Sequence, residues 1–262
     1  MQAYLRASLP GVDVRQYDDG SRPGMHDFNL YRNGHRFAAL EVTTAMHAAA
    51  HEQWQRTPRG NTWTDSRLSG EWTVRLASNA RVKSLKARLP TVLAALEAAD
   101  VSDFNGSWGP GDEWLDQAES LGIDTAHRSP RTVTPGAIHC LPALDPEQAG
   151  GWVAETGDGF AHWVGQWLRE PSRADNLSKL RRSGARERHL FVLIPMLTSA
   201  PFTAFDPLLR SPSPLPTVPP DLPTEVSHVW GICTHGDGDA FHWSPSRGWT
   251  GFPKPWRAEP QP

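Results

Sequence analysis

The chain has 262 residues, of which 38 % are hydrophobic and 21 % charged, with 12 Trp and 9 Phe; this excludes wholesale disorder and supplies enough apolar material for a core that needs no metal or disulfide to close it. Its two cysteines, Cys140 and Cys233, are too few for a disulfide framework or a four-thiolate zinc site. A formal net charge of -3 gives no global attraction to nucleic acid, so any such binding has to come from a local basic surface.

No run approaches the roughly 20 apolar residues that span a bilayer, so the expectation is a soluble, cytoplasmic protein without a membrane partner. The strongest local signal is a hairpin, in which HDFNLY and HRFAALEVTT flank the turn pair Asn33-Gly34. Ala45 to Gln55 is alanine-rich and suits a helix, Pro58, Gly60 and Asn61 mark a loop, and Glu71 to Leu76 reads as a short strand. Asn79 can cap a helix whose apolar stripe is Val82, Leu85, Leu89, Val92, Leu93 and Leu96, with a kink or division expected at Pro90.

From Asp100 to Gly157 the chain is rich in Gly, Pro and Asp, and is read as irregular apart from one helix near Glu113 to Leu121. Helical stretches follow at Phe160 to Leu168 and Ala174 to Arg182, and His189 to Ile194 is apolar throughout, as a buried strand is. The segment SPSPLPTVPPDLP at 211–223 is an extended connector, followed by strands over Glu225 to Cys233 and Asp239 to Trp243 and by a frayed tail, PKPWRAEPQP. The predicted fold is a single α/β domain over residues 1–262: a mixed central sheet flanked by helices, with a long irregular insertion at about 56–157.

Asp27 and Glu41 are the candidate catalytic and metal-binding pair, and hairpin register decides whether they meet. A two-residue turn would put Asp27 opposite Leu40 and send the carboxylates to opposite faces. A three-residue loop, Arg32-Asn33-Gly34 with Gly34 in the left-handed conformation, would put Tyr31 opposite His35 and Asp27 opposite Ala39. Only the second places Phe28, Leu30, Ala38, Leu40 and Val42 on one side and Asp27, Asn29, Glu41 and Thr43 on the other, so that register is preferred. Both carboxylates then reach one hard cation, Mg2+ or Mn2+.

Met25-His26-Asp27 and Leu40-Glu41-Val42-Thr43 resemble the two acidic motifs of the PD-(D/E)XK nuclease superfamily, a restriction-endonuclease-like core. His26 replaces the usual proline, and Thr43 stands where that family has its lysine. The resemblance implies a lysine supplied from a neighbouring helix, for which Lys179 in Asp175-Asn-Leu-Ser-Lys-Leu180 is the candidate. The order of segments is also similar to that of actinobacterial proteins without an assigned function. The implied activity is metal-dependent phosphodiester hydrolysis of nucleic acid, DNA ahead of RNA, with a defence role by analogy and with a homodimer or partner subunit as a way to complete the site.

Lys179, Arg181, Arg182 and Arg186, with Arg188, form a basic strip that suits phosphate contact, and Lys83, Lys86 and Arg88 form another. Trp54, Trp63 and Trp72 are available to stack on bases or to fill a core. The rival readings are a catalytically inactive binding protein on the same fold and a zinc hydrolase using His47 and His51, which sit at i and i+4 on one helical face, with His26 as a third ligand. A weaker metal cluster is Cys233, His235 and His242. Serine-hydrolase and phosphate-loop patterns are absent.

Overall fold

The computed structural model describes residues 5, 9–56, 61–77, 80, 82–105, 112–142 and 153–254. Asn79, Pro58, Gly60 and the tail from residue 255 lie outside the described residues, as do the side chains of Trp54 and Lys83. The chain forms two compact units, Met1–Met46 with Pro146–Pro262, and His47–Asp145.

The first unit opens with β1 (Val12–Gln16), β2 (Phe28–Arg32) and β3 (His35–Thr44), an antiparallel meander. The second holds α1 (Ala48–Arg56), β4 (Thr62–Thr64), β5 (Trp72–Leu76), α2 (Val82–Ala98), β6 (Asp103–Asn105), α3 (Asp112–Leu121), β7 (Ile123–Arg128) and β8 (Ala137–Pro142). The chain then returns to the first unit with α4 (Asp158–Trp167), a 3-10 turn at Pro171–Arg173, α5 (Ala174–Arg182), β9 (Glu187–Ile194), α6 (Phe202–Phe205), β10 (His228–Cys233), β11 (Ala240–Ser244) and β12 (Gly248–Phe252).

The large sheet has the order β1-β2-β3-β9-β10-β11-β12. It is mixed: β9 lies parallel to both β3 and β10, while the outer pairs are antiparallel. After His189 the run LFVLI is apolar throughout because β9 is central and covered on both faces. On one face Leu190, Val192 and Ile194 pack with Ala39, Val229 and Phe241 under Phe160, Trp163, Val164 and Leu180 of the two helices. Gly231 makes room on that face, since a Cβ there would run into the ring of Phe160. On the opposite face Phe191, Trp230 and Ile232 pack with Leu30, Ala38, Leu40 and the N-terminal Leu5.

The second unit is a five-stranded sheet, β4-β8-β5-β7-β6, backed by Leu85, Leu89, Val92, Leu93 and Leu96 of α2. Five of the six stripe positions are therefore core, the side chain of Val82 lying outside the described residues, and α2 continues through Pro90 as one helix, so Pro90 does not divide it; buried apolar packing along the helix outweighs the single hydrogen bond that proline removes. The 100–157 stretch, read as irregular, contributes β6, β7 and β8 as well as the expected helix. Its strands have three to six residues and sit between Gly- and Pro-rich turns, too short for periodicity to register. Short β1 and β12 escaped the sequence reading for the same reason. Cys140 and Cys233 are buried free thiols.

Candidate functional site

The hairpin turn is the two-residue form: Arg32 pairs with His35, and Asn33 and Gly34 both have positive φ, 50° and 77°, as an Asn-Gly turn of this type requires. The three-residue loop is thus corrected. The register nevertheless shifts between Leu30 and Tyr31, because Tyr31 pairs with Arg36 while Leu30 pairs with Ala38, leaving Phe37 as the extra residue of a bulge. Phe28 then faces Leu40, and Asp27 and Glu41 come one step beyond that pair. The amphipathic pattern demanded one inserted residue; the chain placed it in the strand, where the Asn-Gly turn could stay tight.

The consequence for the carboxylates is the one the face pattern implied, by a different register. Asp27 Oδ2 accepts the Val42 N–H at 2.6 Å, and the Asp27 carbonyl accepts N–H groups from Tyr17 and Asp18, so the residue is held from both sides. Glu41 is 1 % exposed. Its Oε1 accepts from Asn176 Nδ2 and from Lys179 Nζ, each at 3.0 Å, while Oε2 is buried with no hydrogen-bond partner. Burial, reinforced by the charge of Asp27 and opposed by Lys179 and Asn176, pushes the Glu41 carboxyl up to about 6.

Lys179 arrives from α5 because Asn176 and Lys179 are three residues apart and share the helix face turned to β3, while Leu180 enters the core. Its Nζ also lies 3.5 Å from Asp175 Oδ2. Burial works to lower the ammonium, but the hydrogen bond and charge of Glu41 prevail and hold it raised. At Thr43, where the resembled motif has lysine, a guanidinium stands instead: Arg173 Nη1 donates to Thr43 Oγ1 at 3.3 Å and lies over the Trp167 ring at 4.6 Å. Asn176 and Arg173 were missed by the sequence reading, although the three-residue spacing of 173, 176 and 179 carried the signal.

Of the basic strip, Arg182 and Lys179 line a cleft of about 280 Å3 with Arg22, Arg36, Tyr17 and His26, and Arg186 lines a neighbouring one of about 370 Å3. Arg181 is exposed. Arg188 is not free for a ligand, since its guanidinium donates to the carbonyls of Glu225 and Thr224. His26 stacks on Tyr17 at 4.4 Å and bonds Asn29 Oδ1 at 2.8 Å, and among the described residues it belongs to no group of three metal-ligating side chains.

The other metal readings are also redrawn. His47 caps α1, its Nδ1 accepting the Ala50 N–H at 3.0 Å, and among the described residues it and His51 gather no third ligand. Cys233 contacts His235 at 3.3 Å on the helix-covered side, whereas His242 stacks on Trp230 at 3.6 Å on the opposite face; alternation along β10 separates them. Trp72 is fully buried with its indole N–H on Glu97, so it is no platform for bases, and the half-buried Trp63 packs on the same core.

A group that sequence reading did not assemble can hold a metal ion: ligand atoms of Glu187, His189 and His228 lie within 4.8 Å of one another. The β9–β10 register puts His189 beside His228, their rings stacked at 4.1 Å. Burial lowers the His189 imidazole, and burial with the neighbouring His189 takes His228 to about 4. The Trp230 indole N–H donates to His189 Nδ1 at 3.1 Å, which places the proton of the neutral ring on Nε2, facing Glu187 at 3.3 Å. A cation bound there has to displace that proton.

No helix among the described residues is long and apolar enough to cross a membrane. Compared with models of known protein families, with curated proteins and with solved structures, the chain matches none.

Proposed function

We propose that the hairpin site hydrolyses phosphodiester bonds in nucleic acid with a divalent cation, Mg2+ or Mn2+, and that the unit containing it is a member of the PD-(D/E)XK type with its lysine moved from Thr43 to α5. The observation that carries this reading is Glu41: a carboxylate almost wholly buried, with one oxygen held by Lys179 and Asn176 and the other buried and unpartnered. An unsatisfied buried carboxylate oxygen is costly, and a hard cation shared with Asp27 is its chemical remedy.

Asp27 and Glu41 would hold the ion, which supplies Lewis acidity toward a phosphoryl oxygen and lowers the pKa of a bound water. Asn176 fixes the rotamer of Glu41 through its Oε1. Lys179 places a positive charge beside the carboxylates, where it offsets the charge that develops on the phosphoryl group. Arg173, pinned over Trp167, adds a second cation at the end of the same strand. The cleft bounded by Lys179, Arg22, Arg36 and Arg182 supplies the basic surface that net charge lacks.

Cleavage of plasmid, single-stranded DNA and RNA with Mg2+ or Mn2+ tests the reading, using the unaltered protein beside Asp27→Asn and Glu41→Gln. Metal-dependent cutting that both variants lose supports it. Absence of cutting in the unaltered protein, or cutting that persists in both variants, removes it in favour of a non-catalytic binding protein.

A further inference from the structure

The basic cleft beside Lys179 is distinct in composition from its neighbour. The neighbouring cleft carries Glu187 alongside Arg36 and Arg186, so its field is mixed. The cleft at Lys179 is lined by Arg22, Arg36, Lys179 and Arg182 and by no carboxylate, and among the described residues none of its three arginines is in an ion pair with an acid. Lys179 is already paired with Glu41 and Asp175, so the unneutralised charge of the cleft is that of three guanidiniums, where a single phosphodiester carries one negative charge.

The arginines are also held in place. Arg36 donates to the Ser183 carbonyl at 3.0 Å, Arg182 to the Ser178 carbonyl through Nε at 3.3 Å, and Arg22 to the Tyr17 hydroxyl at 2.5 Å. Each anchoring bond uses one nitrogen and leaves further N–H groups of the fork without a partner among the described residues. Gly24 has φ 76°, a left-handed conformation that favours glycine, and its backbone lies beside the Arg182 guanidinium. The result is a set of oriented donors around a volume of about 280 Å3, the arrangement that planar, multidentate phosphate recognition uses.

We propose that this cleft receives the terminal phosphomonoester of a nucleic acid strand. A phosphomonoester carries up to two negative charges and three strong acceptor oxygens near neutral pH, against one charge for an internal diester, and it matches the excess of cations and unused donors. The proposal rests on the nucleic-acid reading above and extends it: because Lys179 both lines the cleft and bonds Glu41, a strand held by its phosphorylated end presents a bond close to that end to the carboxylates. The site would therefore select strand ends over continuous duplex.

The test is binding, in EDTA so that nothing is cut, of short single-stranded DNA labelled at an internal base and carrying a 5′-phosphate, a 3′-phosphate or hydroxyls at both ends. One phosphorylated form is expected to bind about tenfold tighter than the hydroxyl form, to be displaced by inorganic phosphate, and to lose its advantage in Arg22→Gln/Arg182→Gln. The two phosphorylated arms identify which end is taken. Equal binding of all three, no binding of any, or a preference that survives the double variant overturns the proposal. Cleavage by the unaltered protein in Mg2+, measured beside the binding, separates this outcome from the hydrolysis reading: end preference without any cutting leaves the cleft assignment standing and removes hydrolysis, whereas cutting with no end preference does the reverse.

Discussion

The two faces of the large sheet each bury polar groups, and they differ in how these are satisfied. On the helix-covered face, Glu41 has one oxygen engaged by α5 and one left over. On the other, His189 has its Nδ1 occupied by Trp230 and its Nε2 facing Glu187, inside a stack of aromatic rings with His228 and His242. Proximity of ligand atoms is therefore not the deciding quantity. A spare acceptor welcomes a metal, whereas a ring already committed on both nitrogens must give up a proton and an indole hydrogen bond first.

The sharpest way to break that contrast is catalytic. Glu41→Gln should lower metal-dependent cleavage by at least about 10³-fold, since the charge that holds the ion is gone, while His228→Gln should leave the rate within about twofold; equal losses in both would erase the distinction between the faces.

Stability measures the same asymmetry. Lys179→Met should cost about 3 kcal/mol in urea unfolding at pH 8, because it strands a buried carboxylate, and Glu41→Gln in the same chain should return most of it. A simple sum of the two single effects would show that the ion pair is not coupled. pH gives a smaller effect of fixed sign. With its folded pKa near 6 and its ordinary value at 4.5, Glu41 contributes stability that is complete below pH 4.5 and lost as pH rises through 6, about 2 kcal/mol in all. Glu41→Gln should lack that loss when unfolding is followed from pH 4.5 to 7.5.

The smallest expected change is on the histidine side. Trp230→Phe frees His189 Nδ1 to carry the ring proton and exposes the Nε2 lone pair, so Zn2+ binding by calorimetry should tighten about tenfold, roughly the worth of one hydrogen bond. Unchanged zinc affinity would mean that the indole is not what holds the triad back.

How much of this was legible beforehand follows from the range of each signal. The hairpin, its face pattern and the buried run of β9 are local, and sequence shows them. Lys179 was reachable because the resembled motif implies a lysine from a neighbouring helix, and Asn176, three residues before it, lies on the same helix face. The bulge at Phe37 was invisible because turn chemistry and strand patterning each specify part of the register, and only their conflict reveals an inserted residue. The Glu187, His189 and His228 group depends on the parallel pairing of β9 with β10, a contact between segments separated by α6 and the proline-rich connector. The same holds for the cleft, whose arginines come from the loop before β2, from β3 and from α5. Basic residues far apart in sequence announce a patch only after folding.

The central claim is that the hairpin carboxylates, and not the histidine group, hold the hard cation. Titration of Mn2+ at pH 7.5 into the unaltered protein, Glu41→Gln and His228→Gln tests it most directly. The account predicts one Mn2+ site that Glu41→Gln abolishes and His228→Gln leaves unchanged; a site retained in Glu41→Gln and lost in His228→Gln would contradict it.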